Sequence, residues 1–203
     1  MNDITAYKQQ VLVSLATITA GYPLRGAVDA LAAGEVAVIQ MSNVSPDLGI
    51  AWETVRRVTL PSERSINLLT QGDIIFTTRG SRNFALALED VQGLAVCSPH
   101  FFVIRVIDTN CITPAFLSWQ INLRPAQEYF QREATGSFIL NIRREVVENL
   151  SLVVPPLAQQ QAIIALAKTA SDERAALTSL ITNRNQQMEA IALGLHRTEG
   201  PRA

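Results

Sequence analysis

Residues 155–195 read PPLAQQQAIIALAKTASDERAALTSLITNRNQQMEAIALGL. The Pro155-Pro156 pair marks a sharp boundary. Beyond it, mostly apolar residues recur at alternating spacings of four and three and form a seam along one side of the predicted helix. Its positions are Ile163, Ala167, Ala170, Arg174, Leu177, Ile181, Arg184, Met188, Ile191 and Leu195. This heptad pattern predicts a coiled-coil helix over residues 156–196, about 50 Å long across the seam, with a flexible tail at 197–203.

The predicted helix is too long and too narrowly apolar to be covered by one small domain. The alternative is a helix that packs back along its own domain. We favour a partner helix, and the seam residues expected to form that dimer interface are Ile163, Ala170, Leu177, Ile181, Met188, Ile191 and Leu195.

The bulk composition describes a globular chain. Of its 203 residues, 48% are hydrophobic and 17% charged, and the net charge of −1 excludes binding of nucleic acid through overall positive charge. Any DNA binding must therefore depend on local clusters of positively charged residues. Lys8 and Lys168 are the only lysines, so the other cations are arginines, which suit phosphate and guanine but also follow from a GC-rich genome.

Cysteine and histidine are too scarce for a disulfide scaffold or a convincing zinc site. The apolar stretch from Val11 to Ala20 is interrupted by hydroxyl residues and lacks a basic leader, so it is interpreted as a buried element. We expect a cytoplasmic protein without a membrane span.

The first half of the chain predicts a sheet-rich module. Short apolar, β-branched and aromatic runs alternate with Pro, Gly and Asp turn signals. The predicted strands are 36–41, 73–78, 84–88, 101–107 and, later, 152–154. Thr113-Pro114 indicates a helix start, and Pro125 and Gly136 divide the segment after it into one or two short helices. The fold class is therefore α+β, a sheet-rich domain followed by one long C-terminal coiled-coil helix.

The sequence contains no convincing active-site motif. Cys97 and His100, or Ser81, His100 and Asp108, could nominally form a hydrolytic set, but no G-x-S-x-G elbow accompanies them. Phosphate-binding glycine loops are also missing from the sequence. We expect no catalytic residue, no metal and no cofactor in this chain.

The sequence feature that does point to a function is a set of turns that carry arginine. Loops on a rigid sheet can enter a DNA groove, where arginine and asparagine match guanine and adenine edges. The candidate DNA-binding residues are Arg25, Arg56, Arg57, Arg64, Arg79, Ser81, Arg82, Asn83, Arg143 and Arg144.

At these residues the chain resembles the specificity (S) subunits of type I restriction-modification systems, over nearly its whole length. GYPLRG at 21–26, followed by VIQM at 38–41, resembles the start of a recognition domain of that family. LTQGDIIF at 69–76, running into TRGS at 78–81, resembles the family's "L..GDI" strand and its loop. ATGS at 134–137, with Ile142, LSLVV at 150–154, PPL at 155–157 and Gln160, resembles the junction into the conserved helix.

The resemblance implies a role as well as a fold. Residues 1–155 would form a target recognition domain that binds double-stranded DNA, and a methyltransferase subunit would be the partner that binds S-adenosylmethionine. Members of the family carry two such domains joined by two antiparallel helices, and each domain reads half of a split target. This chain has one domain and one helix, so it resembles a half-length subunit, expected to homodimerise, or a fragment of a full-length one. The other hypotheses are a stand-alone dimeric DNA-binding regulator or adaptor and an uncharacterised hydrolase.

Overall fold

The computed structural model describes residues 7–24, 28, 33–60, 66–80, 83–134 and 140–197. Within these ranges the chain is a mixed α+β protein with a sheet-rich first part and a long C-terminal helix, which confirms the predicted fold class. The strands are β1 Gln9–Val11, β2 Ala16–Ala20, β3 Ala33–Ile39, β4 Val44–Ser45, β5 Gly49–Ile50, β6 Arg57–Val58, β7 Ile74–Thr77, β8 Arg79–Gly80, β9 Ala85–Ala87, β10 Ala95–Cys97, β11 Phe101–Val106, β12 Leu140–Asn141 and β13 Ser151–Val153. The α-helices are α1 Pro114–Asn122, α2 Arg124–Glu133, α3 Arg144–Glu148 and α4 Leu157–Arg197.

Two sheets build the body of the described domain. One has the strand order β2-β11-β7-β9 and is antiparallel throughout. The other has the order β10-β3-β6, in which β10 and β3 run parallel. The short pairs β1-β13, β8-β12 and β4-β5 complete the described strand pairing. The β1-β13 pair matters for the architecture because it joins strands that lie far apart in sequence.

The parallel strands β3 and β10 are buried on both faces. Ala37, Ile39 and Cys97 pack in one apolar cluster, whereas Val38 and Val96 pack in another. Successive side chains of a strand point to opposite faces, so one run of apolar residues fills two cores. This explains why residues 36–39 of β3 and 95–97 of β10 are continuously hydrophobic.

The helices α1 and α2 both begin where proline chemistry predicts. Thr113 caps α1, with its hydroxyl accepting a 3.3 Å hydrogen bond from the backbone N–H of Phe116, and Pro114 occupies the first turn. Pro125 lies in the first turn of a separate helix, α2. Both features confirm the sequence prediction; Gly136 lies outside the described residues.

The predicted strands are present at slightly different bounds. The strand predicted at 36–41 is β3, which ends at Ile39 because Gln40 and Asn43 form a capping box around a short 3-10 turn. The stretch from Val11 to Ala20 is a strand end, a 3-10 turn and β2, with Leu12, Leu15 and Ile18 buried.

The chain divides into two compact units, Met1–Ala162 and Ile163–Ala203. This division falls later than the predicted domain boundary at residue 155, because the first turn of α4 belongs to the first unit. Gln160 is fully buried there, and its amide donates to the carbonyls of Cys111 and Pro155 at 2.9 and 2.8 Å. Its oxygen accepts from the N–H of Thr113 at 2.9 Å. None of the described helices is both long and apolar enough to span a membrane.

Candidate nucleic-acid interface

Several loops meet at one edge of the two sheets, which we call the loop edge. The parallel strands β3 and β10 end there together, and the N–H of Ser98 donates to the carbonyl of Ile39 at 2.8 Å. The antiparallel register places the end of β7 and the start of β11 at the same edge, with Thr77 opposite Phe101. The loop edge comprises residues 21–24, 40–43, 78–80 and 98–100. It is therefore a place where surface loops are carried by a rigid sheet.

Gly21 fixes the first loop against the others. Its N–H donates to the carbonyl of Phe101, and the next N–H, of Tyr22, donates to the carbonyl of Cys97. A Cβ atom at Gly21 would lie 2.0 Å from the carbonyl oxygen of Ser98, far inside van der Waals contact. Only glycine lets the backbone approach this closely. The close approach of two backbone segments therefore explains why the first residue of the GYPLRG motif, Gly21, is a glycine.

The structure brings the segment around Arg79 next to the segment that leads to Arg143. Arg79 in β8 pairs with Asn141 in β12, and the N–H of Ile142 donates to the carbonyl of Thr78 at 2.9 Å. Arg79 and Arg143 are both exposed. Two of the arginine-bearing segments identified in the sequence therefore form one continuous surface beside the loop edge.

Asn83 lies at the base of the same loop but faces inward. It is 2% exposed, and its amide donates to the carbonyl of Thr77 at 2.7 Å. The hydroxyl of Thr77 in turn accepts from the N–H of Phe84. In this structure Asn83 supports the shape of the loop from below, and a direct DNA contact by this residue stays a prediction.

The remaining described arginines are divided between other places. Arg57 donates to the carbonyls of Glu35 and Gln92, near the starts of β3 and β10 and thus away from the loop edge. Arg56 is exposed on the neighbouring turn. Arg144 forms a 2.7 Å ion pair with Glu148 within α3. The candidates Arg25, Arg64, Ser81 and Arg82 lie outside the described residues.

A cleft of about 560 Å³ opens at the loop edge. Its walls combine the apolar side chains of Leu24 and Met41 with the polar residues Gln40, Ser42, Ser98 and His100. The Ser98 hydroxyl is buried and has no hydrogen-bond partner among the described residues. Amide, hydroxyl and imidazole groups on a rigid edge can donate to and accept from base edges and phosphates. Sequence reasoning missed Gln40, Ser42 and His100 in this role, because each is an ordinary polar residue until the strand ends bring them together.

Of the residues considered for hydrolysis, Cys97, His100 and Asp108 are described and Ser81 lies outside the described residues. Cys97 is 1% exposed and packs in the apolar core, where burial raises the pKa of its thiol to about 12. A reactive cysteine needs the opposite, a lowered pKa and access to solvent. Asp108 is exposed, and its carboxylate caps the following turn by accepting from the N–H of Asn110. Within the described ranges, no group of three or more His, Cys, Asp or Glu side chains could hold a metal ion.

Comparisons with known proteins bear on the fold. No protein-family model matches the sequence, and no curated protein matches it significantly. Solved structures do match. The type I restriction-modification S subunit from M. genitalium superposes with a TM-score of 0.61 at 16% identity, covering 98% of this chain and 48% of that chain. The HsdS subunit from Thermoanaerobacter tengcongensis gives 0.60 at 18% identity, covering 92% and 47%.

A chain from a structure describing complex assembly and conformational transition of the type I R-M system gives a TM-score of 0.65 at 14% identity, covering 94% of this chain and 45% of that one. The chain shares the fold of about half of a type I S subunit. The resemblance found in the motifs is thereby confirmed at the level of structure. This chain spans about half the length of these relatives.

Proposed function

We propose that this chain is a half-length specificity subunit of a type I restriction-modification complex and that it reads double-stranded DNA through the loop edge. The observation that carries the proposal is the shared fold over nearly the whole chain. The exposed residues Arg79 and Arg143 support it, since arginine on a sheet-borne loop is suited to phosphate and guanine. The role is one of recognition, and the chemistry would belong to a methyltransferase partner that binds S-adenosylmethionine.

The charge balance of the chain fits local rather than global electrostatics. With a net charge of −1, the chain as a whole does not attract DNA, so affinity must come from the arginines near the loop edge. Binding of DNA by the isolated chain is then expected to be weak, and the methyltransferase partner would supply further contacts to the duplex.

The second element of the proposal is a homodimer through α4. Leu177, Ile181, Met188 and Ile191 are between 57% and 63% exposed in the described chain. Burying each such side chain contributes about 1.5–3 kcal/mol, so a helix with this stripe gains from a partner. A two-fold dimer of half-length chains would then replace the two covalently joined domains of a full-length subunit. Its target would be an interrupted palindrome, because a two-fold axis presents identical surfaces to both half-sites.

Methylation mapping tests the role directly. The chain is expressed with its neighbouring methyltransferase in a host, and modified bases are mapped across the genome. We expect methylation at one interrupted palindromic sequence. Methylation at a target with two unrelated halves would contradict the homodimer. Selective DNA binding with no methylation would instead support the stand-alone regulator.

Light scattering on the purified chain tests the dimer. We expect a dimer at tens of micromolar, and a monomer for the double variant Leu177→Asp with Ile181→Asp. Leu193 is 64% exposed but lies off the seam, so Leu193→Asp is the matched control and should leave the dimer intact. A monomeric wild-type chain would rule out this part of the proposal.

A further inference from the structure

We infer that α4 of a second copy packs antiparallel against this helix with the two-fold axis beside Ser179, so that Arg174 of each copy faces Arg184 of the other. The inference rests on the proposed homodimer and adds the register of its two helices. It is carried by the order of side chains along the exposed seam.

The seam is symmetric in spacing about residue 179. Each seam position has a counterpart equally far on the other side, as antiparallel helices related by a two-fold axis require. The facing pairs are Ile163 with Leu195, Ala167 with Ile191, Ala170 with Met188, Arg174 with Arg184, and Leu177 with Ile181. Every seam position then has a partner, whereas sliding the helices by one heptad leaves seam residues at the ends uncovered.

Side-chain volume distinguishes the antiparallel from the parallel arrangement. The small residues Ala167 and Ala170 lie in the first half of the seam, and the large residues Met188 and Ile191 lie in the second half. The antiparallel register places each small residue opposite a large one, which fills the space between two helices evenly. A parallel dimer would instead stack alanine on alanine and methionine on methionine. The distribution of volume therefore favours antiparallel over parallel helices, and the coverage of every seam position selects the register centred on residue 179.

The centred register brings the arginines of the two copies together. Arg174 and Arg184 are exposed in the single chain, and Arg184 donates to Gln187 one turn along the helix at 3.3 Å. In the centred register the four arginines of a dimer share two layers, and all other layers are apolar or small. A shift by one heptad would place Arg174 against Ile191 and Arg184 against Ile181, spreading arginine over four layers. Like charges in one layer repel each other, so in this register the arginine stems pack while both guanidinium groups extend to solvent, where salt screens the repulsion.

Cysteine crosslinking measures the register in the full chain. In a Cys111→Ser background, the variant carrying both Ala170→Cys and Met188→Cys is oxidised and separated on a non-reducing gel. We expect most of the chain to run as a covalent dimer, because the two positions face each other. The matched control carries Ala170→Cys with Leu195→Cys, which face each other only if the helices shift by one heptad. Ala170→Cys alone should not crosslink, since the two copies of that residue are far apart on antiparallel helices.

A charge variant gives an independent test that needs no crosslink. Arg184→Glu places a carboxylate opposite Arg174 of the other copy in both charged layers. We expect the dimer dissociation constant to fall about three- to tenfold at low salt, and adding salt should reduce that gain. Arg174→Glu combined with Arg184→Glu restores like charges in each layer and should return the affinity to near the wild-type value. In a parallel dimer, Arg184→Glu would only replace one like-charge layer with another.

The outcomes separate this inference from the proposal on which it rests. A wild-type monomer would overturn both. A dimer that crosslinks only through Ala170→Cys alone, or only through the shifted pair, would keep the homodimer and overturn the register. An Arg184→Glu variant whose dimer is weakened or unchanged would likewise overturn the register and keep the homodimer.

Discussion

Asp73 and Arg105 face each other across the β7 and β11 ladder and form a two-point ion pair. Both oxygens of the carboxylate take part, with Nε and Nη2 of the guanidinium each 2.7 Å away. The side chain of Asp73 is 1% exposed, and the backbone N–H of Thr70 also donates to it. The carboxylate raises the pKa of Arg105 and ties the turn at Gly72, whose φ of +87° favours glycine, to the strand beside it. Asp73 of the GDI motif thus fixes the turn before β7 to β11, in the sheet that carries the loop edge.

Removing the guanidinium should destabilise the domain because it leaves a buried carboxylate. For Arg105→Leu we expect a loss of about 2–3 kcal/mol, below the roughly 3–5 kcal/mol typical of a fully buried pair because the guanidinium is half exposed. Urea unfolding followed by circular dichroism measures it. Arg124→Ala is the control: it breaks an exposed ion pair with Glu128 and should leave the stability almost unchanged. Equal effects of the two changes would contradict the anchoring role.

Local signals in the sequence predicted the longer helices and strands, but neither the shortest strands nor the pairing of the strands. Pro155-Pro156 and the heptad seam predicted α4, and Thr113-Pro114 predicted the start of α1, because caps and periodicity are properties of neighbouring residues. The strand Ala95–Cys97 escaped notice because three apolar residues are too few to show a period. The pairing of Gln9 with Val153 depends on tertiary contacts that no local pattern contains.

The same limit applies to the candidate interface. Arginine-bearing turns could be found by composition, and the strand register brings two of them, at Arg79 and Arg143, into one surface. The inward orientation of Asn83 and the use of Arg57 to hold backbone carbonyls could not be foreseen, since both depend on which strand ends lie nearby. The cleft beside His100 arises in the same way, from loops that are distant in sequence.

Gln160 is predicted to anchor the start of α4. Its amide group bonds to the buried carbonyl of Pro155 and to the part-buried carbonyl of Cys111 and N–H of Thr113, and a leucine of similar size could form none of these hydrogen bonds. Because each unsatisfied buried group costs about 1–3 kcal/mol, Gln160→Leu should lower the free energy of unfolding by about 2–4 kcal/mol after the gain from apolar burial. Gln161 is exposed, so Gln161→Leu is the matched control and should be nearly neutral. A stable Gln160→Leu variant would show that the hydrogen bonds are dispensable.

Cys97 should be inert in the folded protein. Since burial raises the pKa of its thiol to about 12, the group stays protonated at pH 8, and a thiol reagent should label a Cys111→Ser variant only after unfolding. A Cys97→Ser variant, which retains the half-buried Cys111, should be labelled in the native state. The folded protein holds this proton more tightly than the unfolded chain. The resulting stabilisation is complete below about pH 9 and is lost as the pH rises toward about 12. Rapid native labelling of Cys97 would revive the nucleophile hypothesis.

Arg79 and Arg143 should both contribute to DNA binding, and the salt dependence of the affinity should distinguish a base contact from a phosphate contact. If Arg79 reads a base, Arg79→Ala should cost about 1–3 kcal/mol at the cognate site and relax the preference at one position. A phosphate contact would instead weaken all sequences alike and reduce the slope of log affinity against log salt by about one. We expect the phosphate pattern for Arg143→Ala, because this arginine lies two residues beyond the β8-β12 pair, whereas Arg79 lies within the loop edge. Binding is measured by fluorescence anisotropy with the methyltransferase present, on cognate and scrambled duplexes at several salt concentrations. Arg124→Ala on α2 is the control, and a double Arg79→Ala, Arg143→Ala variant with full affinity and selectivity would remove this surface from the interface.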